Sequence, residues 1–548
     1  MQGINKAYAT ANNDDHWFGM ELNYDRGFEK SLLNGNIAGT KWRSKGDDQQ
    51  RAYGYSYDPA SRILGADFTE GSGNVYADNP KIDFDMVMGN GVDGSDAYDA
   101  NGNIKKMKHR GMKGIGGSTT IDYMTYLYYD NGNKLRSVSE PGPFIDHKLG
   151  DFTDKNSGDD YGYDRNGNLI ADLNKKIGSN TGEFATSDGA FKYNHLNLPS
   201  VITIKDDNNP SLVKGTITYI YDAAGNKLEK RVQENASAAN NNKARDIVTT
   251  YLGGFNYETK TVDQPDAANP NYQDKLMFFA QEEGRVRIEH PLNDSPLFHY
   301  DYFVKDHLGN VRMVLTDEQQ QTPYLASMES AVRVNEEKVF KNIGTTAYPA
   351  GNVPGGYPAD ATTNPNDFVT RLNGSGNKVG PSLVLKVMRE DKLNIAVKSF
   401  FRPHGPTTAT NNPFSEILSS LAAGIIGNVG EAKGTLTALT DPGGPLASAL
   451  QGFTSNNPAP PSTKPKAFLN YVFFDEQFNR LSNSGSIPVN QADILESLAV
   501  TNLVAAKMDL YTFTSVTKPR IGMCSLIIYR CYIRRGRWWR RLIIIRLG

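Results

Sequence analysis

Asp306-His307, within the run YDYFVKDHLGNVRMVLTDE (Tyr300 to Glu318), sets a carboxylate beside an imidazole, the pairing used in general acid-base catalysis. Such a pair also needs a serine or carboxylate partner at a fixed place, and the sequence singles none out, so His307 is read as packing or capping a turn. Asp164-Arg165-Asn166-Gly167-Asn168 carries the alternating oxygen donors of a calcium loop. A helix-loop-helix calcium site requires glycine at its sixth position and a bidentate glutamate at its twelfth. Here the sixth residue is Leu169 and the flanks read as strands, so turn chemistry accounts for the run. The segment GMKGIGGSTT, Gly111 to Thr120, lacks the Lys-Ser/Thr of a phosphate loop and leads into no helical pattern, which leaves a plain loop. The eight histidines show no metal-ligand spacing. Paired carboxylates at Asp159-Asp160 and Asp475-Glu476 stand beside turns or in strands, where a solvated face suffices. The expectation is a non-enzymatic chain with no catalytic, metal or cofactor site.

The elements that carry these residues are hairpins. In TITYIYD, Thr216 to Asp222, Ile217, Tyr219 and Tyr221 alternate with Thr218, Ile220 and Asp222, a strand pattern of aromatic and β-branched residues. Asp222 can bond backbone amides ahead of it, and Gly225-Asn226 tolerates a left-handed backbone, so the chain turns. Leu228 and Val232, set among charged residues, then form a return strand with one wet face.

The same unit recurs as YDANGNIKKMKH from Tyr98, YYDNGNKLRSV from Tyr128 and YGYDRNGNLIADL from Tyr161, and in degraded form from Tyr55 and Phe191. The tyrosines Tyr57, Tyr98, Tyr129, Tyr163, Tyr193 and Tyr221 are 41, 31, 34, 30 and 28 residues apart. A period of that size marks an array of supersecondary units, and strand-turn-strand units make a curled β-sheet. A single hairpin would not stand alone.

The pattern Tyr-Asp-x-x-Gly-Asn followed by an alternating strand resembles the YD repeat of the Rhs/YD-repeat proteins. Asp306-His307-Leu308-Gly309-Asn310-Val311-Arg312 resembles that family's core signature. By motif the resemblance covers roughly Glu21 to Glu318, and to about Tyr511 the chain looks like the version found in Bacteroidetes-type bacteria. It implies structural roles at the repeat turns for Tyr57, Asp58, Tyr98, Asp99, Gly102, Asn103, Tyr129, Asp130, Gly132, Asn133, Tyr163, Asp164, Gly167, Asn168, Tyr221, Asp222, Gly225 and Asn226, and in the core motif for Asp306, His307, Leu308, Gly309, Asn310 and Arg312. It also implies a hollow β-shell that encloses or presents a C-terminal cargo, often a toxin used in competition between bacteria, and a secreted or cell-surface location. Carbohydrate binding is associated with some members.

The expected organisation is mainly β: a YD-repeat β-hairpin array over 1–321, then a jelly-roll-like β-sandwich over 322–511 with a helical insertion at 412–453. The array, as part of a shell, should leave sheet edges exposed. PSLVLKVM (Pro381 to Met388) and KLNIAVKSFF (Lys392 to Phe401) read as sandwich strands joined by the turn Arg389-Glu390-Asp391, and Asn412-Pro413 caps the helix FSEILSSLAAGIIG. A second reading makes the sandwich a glycan-binding module with Tyr357, Phe400, Phe401 or Tyr471 as stacking platforms. Trp17 and Trp42 are expected in a core or on a strand face.

Charge is unevenly placed. The net charge is −2, but from Leu510 onward there are nine Lys/Arg and no Asp/Glu, leaving 50 basic against 61 acidic residues before that point. An acidic body argues against nucleic acid as partner. No run approaches the length of a membrane span, and no signal peptide is visible; the opening residues already have repeat character, so the start is read as internal to a longer exported parent. Both cysteines, Cys524 and Cys531, lie in the basic tail. Reading plausible codons for 515–519, 523–528 and 540–548 from the third base gives Ser-Asn-Glu-Thr, Val-Phe-Phe-Asp-Asn and Glu-Thr-His-Tyr-Tyr-Pro-Phe-Gly, which resemble the continuation of the relatives. The expectation is a frameshift near Leu510 to Thr512, with 512–548 not natively folded and the cargo absent.

Overall fold

The structure is a computed structural model and describes residues 3–10, 16–28, 31–46, 48–72, 75–80, 82–113, 117–130, 132–140, 152–206, 209, 211–266, 269–291, 295–318, 321–358, 367–372, 376–403, 414–429, 436–455, 467–475, 478–506, 509–517 and 522–534. Among them the chain is mainly β, with large antiparallel sheets and few helices.

Strands of the first 318 residues pair almost entirely with their neighbours in sequence, the outcome expected of hairpin units laid end to end. A first sheet runs from Gly3–Ile4 and Phe18–Asn23 through Gln50–Tyr57 and Ile63–Ser72 to Gly117–Tyr128 and Leu135–Ser139. Tyr161–Tyr163 and Leu169–Asp172 form a sheet of two. A ten-stranded meander follows, from Phe191–Tyr193 and Pro199–Lys205 to Leu297–Lys305 and Val311–Thr316. Its last strands bury Val286, Ile288 and Met313 on one side. Much of the rest is uncovered: Ile220, Leu252, Phe255, Phe298, Tyr300 and Tyr302 are all exposed.

The array closes on its own first hairpin and on the second domain. Phe18, Met20 and Leu22 form one core with Met313, flanked by Trp17, Trp42, Val304, Leu315 and Met388. Trp42 stacks on Tyr53 with ring centroids 5.4 Å apart, so both tryptophans have the packing role expected of them. The turn Arg389-Glu390-Asp391 docks beside this core: Arg389 Nη1 lies 2.9 Å from Asp48 Oδ2 and Lys45 Nζ 3.2 Å from Glu390 Oε1.

The second domain is two sheets face to face. One contains Gln321–Ala326, Ala347–Pro349, Phe368–Leu372, Lys392–Pro403 and Glu496–Val504; the other contains Val379–Val387, Ala467–Phe474 and Gly485–Pro488. Leu383, Leu385, Val387, Ile395, Val397, Phe401, Leu469 and Phe473 fill the space between them. The helix Phe414–Val429 lays Ile417, Leu418, Leu421 and Ile425 on the outer face of the second sheet, against Val384, Val472 and Phe474. With both faces covered, Val379–Val387 and Ala467–Phe474 are buried along almost their whole length. Leu436–Leu439 and Pro445–Ser455 complete the expected insertion, while the Asn412-Pro413 cap lies outside the described residues.

The backbone of Asp509–Thr517 lies between Val379–Val387 and Ala467–Phe474, and that of Gly522–Arg534 pairs with Gln321–Ala326, Phe368–Leu372 and Lys392–Pro403. The physical reason is local: each sheet leaves a slot between two unpaired strand edges, and a run rich in Ile and Tyr has the β-propensity to occupy one.

Candidate functional site

The well-preserved repeat turns at Asp99, Asp164 and Asp222 are each closed by one carboxylate. Asp99 Oδ1 accepts the backbone N–H groups of Asn101 (2.9 Å) and Asn103 (2.8 Å), and its Oδ2 accepts Asn103 Nδ2 at 2.7 Å. Asp164 does the same with Asn166 and Asn168, and Asp222 with Ala224 and Asn226. In the degraded copies Asp58 takes the amides of Ala60 and Arg62, with the Arg62 guanidinium replacing the asparagine, and Asn194 takes those of Leu196 and Leu198. The core motif is the same device reinforced. Asp306 accepts Leu308 N, Asn310 N and Asn310 Nδ2, then pairs with Arg312 through Nε at 2.7 Å and Nη2 at 2.6 Å.

The residue three after the capping side chain is left-handed in all six of these turns: Ser61 (φ 61°), Gly102 (86°), Gly167 (84°), Asn197 (57°), Gly225 (86°) and Gly309 (82°). A Cβ on Gly102 would meet nothing within 4 Å, so Gly102→Ala should cost only backbone strain, roughly 1 kcal/mol, and Gly102→Asn less. Urea denaturation of the two variants checks both values.

Tyrosine hydroxyls tie each turn to the preceding one. Tyr57 donates to Ile37 O (2.9 Å), Tyr98 to Ile63 O (2.6 Å), Tyr193 to Leu169 O (2.6 Å) and Tyr221 to Pro199 O (3.0 Å). Tyr193 makes this bond where the sheets are interrupted, so a side chain joins neighbours that no strand ladder connects. Asparagines add a second line, from Asn103 Nδ2 to Asn133 Oδ1 at 3.1 Å and from Asn168 Nδ2 to Asn197 Oδ1 at 3.0 Å.

Three readings of the sequence are corrected here. The turn at Tyr129-Asp130 is one residue shorter than its siblings, with three residues from Asp130 to Asn133 against four from Asp99 to Asn103. Tyr128 therefore takes the tyrosine position and Tyr129 the acid's; Gly132 N donates to Tyr129 O, and the Tyr129 hydroxyl reaches forward to Tyr161 O. Asp130 is not the turn's cap. Asp160 has no solvated face: it is buried, accepts Val138 N at 2.8 Å and Asn156 Nδ2 at 3.0 Å, and so bridges the first break between sheets. Asp475 closes a further copy of the turn inside the sandwich, accepting Asn479 N and Nδ2 at 2.9 Å each, with Phe478 at φ 63° in the glycine place.

The turn carboxyls are held acidic. Burial works against the charge of Asp99, Asp164 and Asp306, but the bonds from their asparagines, from Arg312 at Asp306, and from backbone amides outweigh it and lower all three. A depressed folded value gives stability that is present above the ordinary carboxylate range and lost as pH falls through the folded value. The tyrosines move the other way. Burial pushes Tyr57 and Tyr129 up to about 12 and raises Tyr98 and Tyr193. An unfolded chain would ionise these phenols near 10, so stability should hold up to that pH and fall as it rises toward 12. Urea midpoints measured from pH 8 to 12 should show that fall, with a shallower slope for Tyr57→Phe.

One cluster was not foreseen from the sequence. Asp301, 1 % exposed, accepts Arg285 Nε at 2.9 Å and is gripped by Arg287 through Nε (2.6 Å) and Nη2 (2.9 Å). Arg287 Nη2 also donates to Glu318 Oε2 at 2.8 Å. Beside them His299 Nε2 lies 3.0 Å from Glu289 Oε2, and the ligand atoms of Glu289, His299 and Glu318 fall within 4.8 Å of one another. These residues come from Gly284–Glu289, Leu297–Lys305 and the segment after Val311–Thr316, where the register sets Arg287 opposite His299 and Arg285 opposite Asp301. Only strand pairing brings them together.

The residues first weighed for chemistry are otherwise placed apart. His307 and Leu308 are exposed at the tip of their turn, while Asp306 is buried and fully engaged. Phe400 and Phe401 are buried in the sandwich, Tyr357 packs edge-on against Phe400 at 5.8 Å, and Tyr471 packs on the inner core. Neither phenylalanine presents a face for sugar stacking. No helix among the described residues is long and apolar enough to cross a membrane.

No family model and no curated protein matches the chain. Among solved structures it is similar to the TcdB2-TccC3-Cdc42 assembly, with 15% identity and a TM-score of 0.24 over 56% of this chain, and it spans 17% of the length of that chain. It is also similar to a fructofuranosidase from Schwanniomyces occidentalis (8% identity, 89% and 92% of the two chains, TM-score 0.12). A family 43 arabinoxylan arabinofuranohydrolase from Bacillus subtilis gives 8% identity, 90% and 95% coverage and a TM-score of 0.15. Likeness at this level carries no argument about activity.

Proposed function

We propose that the chain is a non-enzymatic scaffold of the Rhs/YD-repeat kind, exported or surface-associated in its complete form, whose hairpin array encloses or presents a C-terminal toxin or effector. The observation that supports it is the tyrosine series. Repeat after repeat commits its acid to its own turn and its tyrosine hydroxyl to the backbone of the repeat before it. Such stapling lets an array of two-stranded units hold a curved wall that no single hairpin could form. The uncovered apolar residues of the ten-stranded meander fit a wall whose inner or outer covering lies elsewhere in a longer protein. The glycan-binding alternative has no comparable support once its phenylalanine platforms are in the core.

The test begins at the DNA. Resequencing from the codon of Asp509 onward should find the alternative frame open through Tyr-Tyr-Pro-Phe-Gly into further sequence. In the protein made from that frame, the C-terminal domain should resist protease while the scaffold is folded and be digested when expressed alone. Equal digestion of both would overturn the proposal.

A further inference from the structure

We propose that Glu289, His299 and Glu318 form a binding site for a divalent transition-metal ion such as Zn2+, which clips the end of the repeat array together. One imidazole with two carboxylates is a donor set suited to zinc and its neighbours, and poorly suited to calcium or magnesium, which take oxygen ligands alone. The three ligand atoms already stand within 4.8 Å of one another, Glu289 and His299 on mutually registered strands and Glu318 just beyond the strand that follows them.

One further observation points the same way: His299 turns Nε2 toward Glu289 while its Nδ1 faces Asp317 Oδ1 at 3.9 Å, so a carboxylate lies on the far side of the ring from the other two ligands. Asp317 is itself fixed, accepting Tyr300 N at 2.9 Å, and Glu318 is fixed through Oε2 by Arg287. The ion would join Gly284–Glu289 and Leu297–Lys305 to the segment beyond Val311–Thr316, where the array passes into the sandwich.

Calorimetric titration of Zn2+ into the full chain, with thermal unfolding as a second readout, tests the site. Wild type should bind one equivalent and unfold at higher temperature with zinc than with chelator, and C524S/C531S should do the same. Glu289 is exposed, so E289Q leaves the buried Asp301 network intact; it and H299A should weaken binding by at least about tenfold to a hundredfold, with unfolding in chelator unchanged for E289Q. Undiminished binding in H299A, loss of binding with the two cysteines, or a folded wild type that takes up no zinc would each overturn the proposal.

Discussion

Asp306→Ala should destabilise the chain by about 3 to 5 kcal/mol, while His307→Ala beside it should change stability by less than about 0.5 kcal/mol. The contrast follows from where the two side chains lie. The carboxylate of Asp306 is fully buried, holds the amides of Leu308 and Asn310, and neutralises an Arg312 guanidinium that is itself mostly covered. Removing it leaves two turn amides and a cation without their partner at once, which costs more than losing one exposed ion pair. His307 stands exposed beside the turn. Asp306→Asn keeps an oxygen for the amides but loses the charge facing Arg312, so it should fall between the two. Urea denaturation of the three variants measures this order. An acid-base pair would instead make both residues matter for an activity and neither matter much for stability.

Asp301→Ala should have an effect of similar size, again about 3 to 5 kcal/mol, because Arg285 and Arg287 both lose the carboxylate that compensates them. Burial opposes the charge of Asp301, yet hydrogen bonds from Arg287 and Arg285 hold its carboxyl below the ordinary value. Its contribution should therefore persist at neutral pH and vanish only as pH falls through that lowered value. Asp301→Asn should lose less, since the amide oxygen still accepts a bond. Chemical unfolding at pH 7 and at pH 3 separates the variants: the gap between wild type and Asp301→Ala should narrow in acid.

How much of this was legible in the sequence depended on range. The turns at Asp99, Asp164, Asp222 and Asp306 could be read because every partner lies within a few residues of the acid, so spacing alone fixes the geometry. The tyrosine contacts could not, because Tyr98 and Ile63 are 35 residues apart and Tyr193 and Leu169 are 24 apart; only the stacking of one hairpin on the next brings them together. Asp130 misled because its motif letters match while its count is one short, and in a turn the count governs which amide faces which oxygen. Asp475 was passed over since Phe478 stands where the other turns have Ser, Gly or Asn, and a buried aromatic is an unusual occupant of a left-handed position. The sandwich aromatics looked like platforms because a sequence shows alternation but not what covers each face. His299 and its carboxylates were invisible for a related reason: the register between strands, not the spacing along them, makes the cluster.

The account rests on the repeat chemistry being used internally, and native-state hydrogen exchange reads that directly. The amides of Asn101 and Asn103, Asn166 and Asn168, Ala224 and Asn226, and Leu308 and Asn310 should all exchange far more slowly than in an unstructured peptide, since each donates to a turn carboxylate. In Asp306→Ala the last pair should speed up most. Exchange of these amides at unprotected rates in the folded wild type would contradict the account, for the carboxylates would then be open to solvent and to ligands.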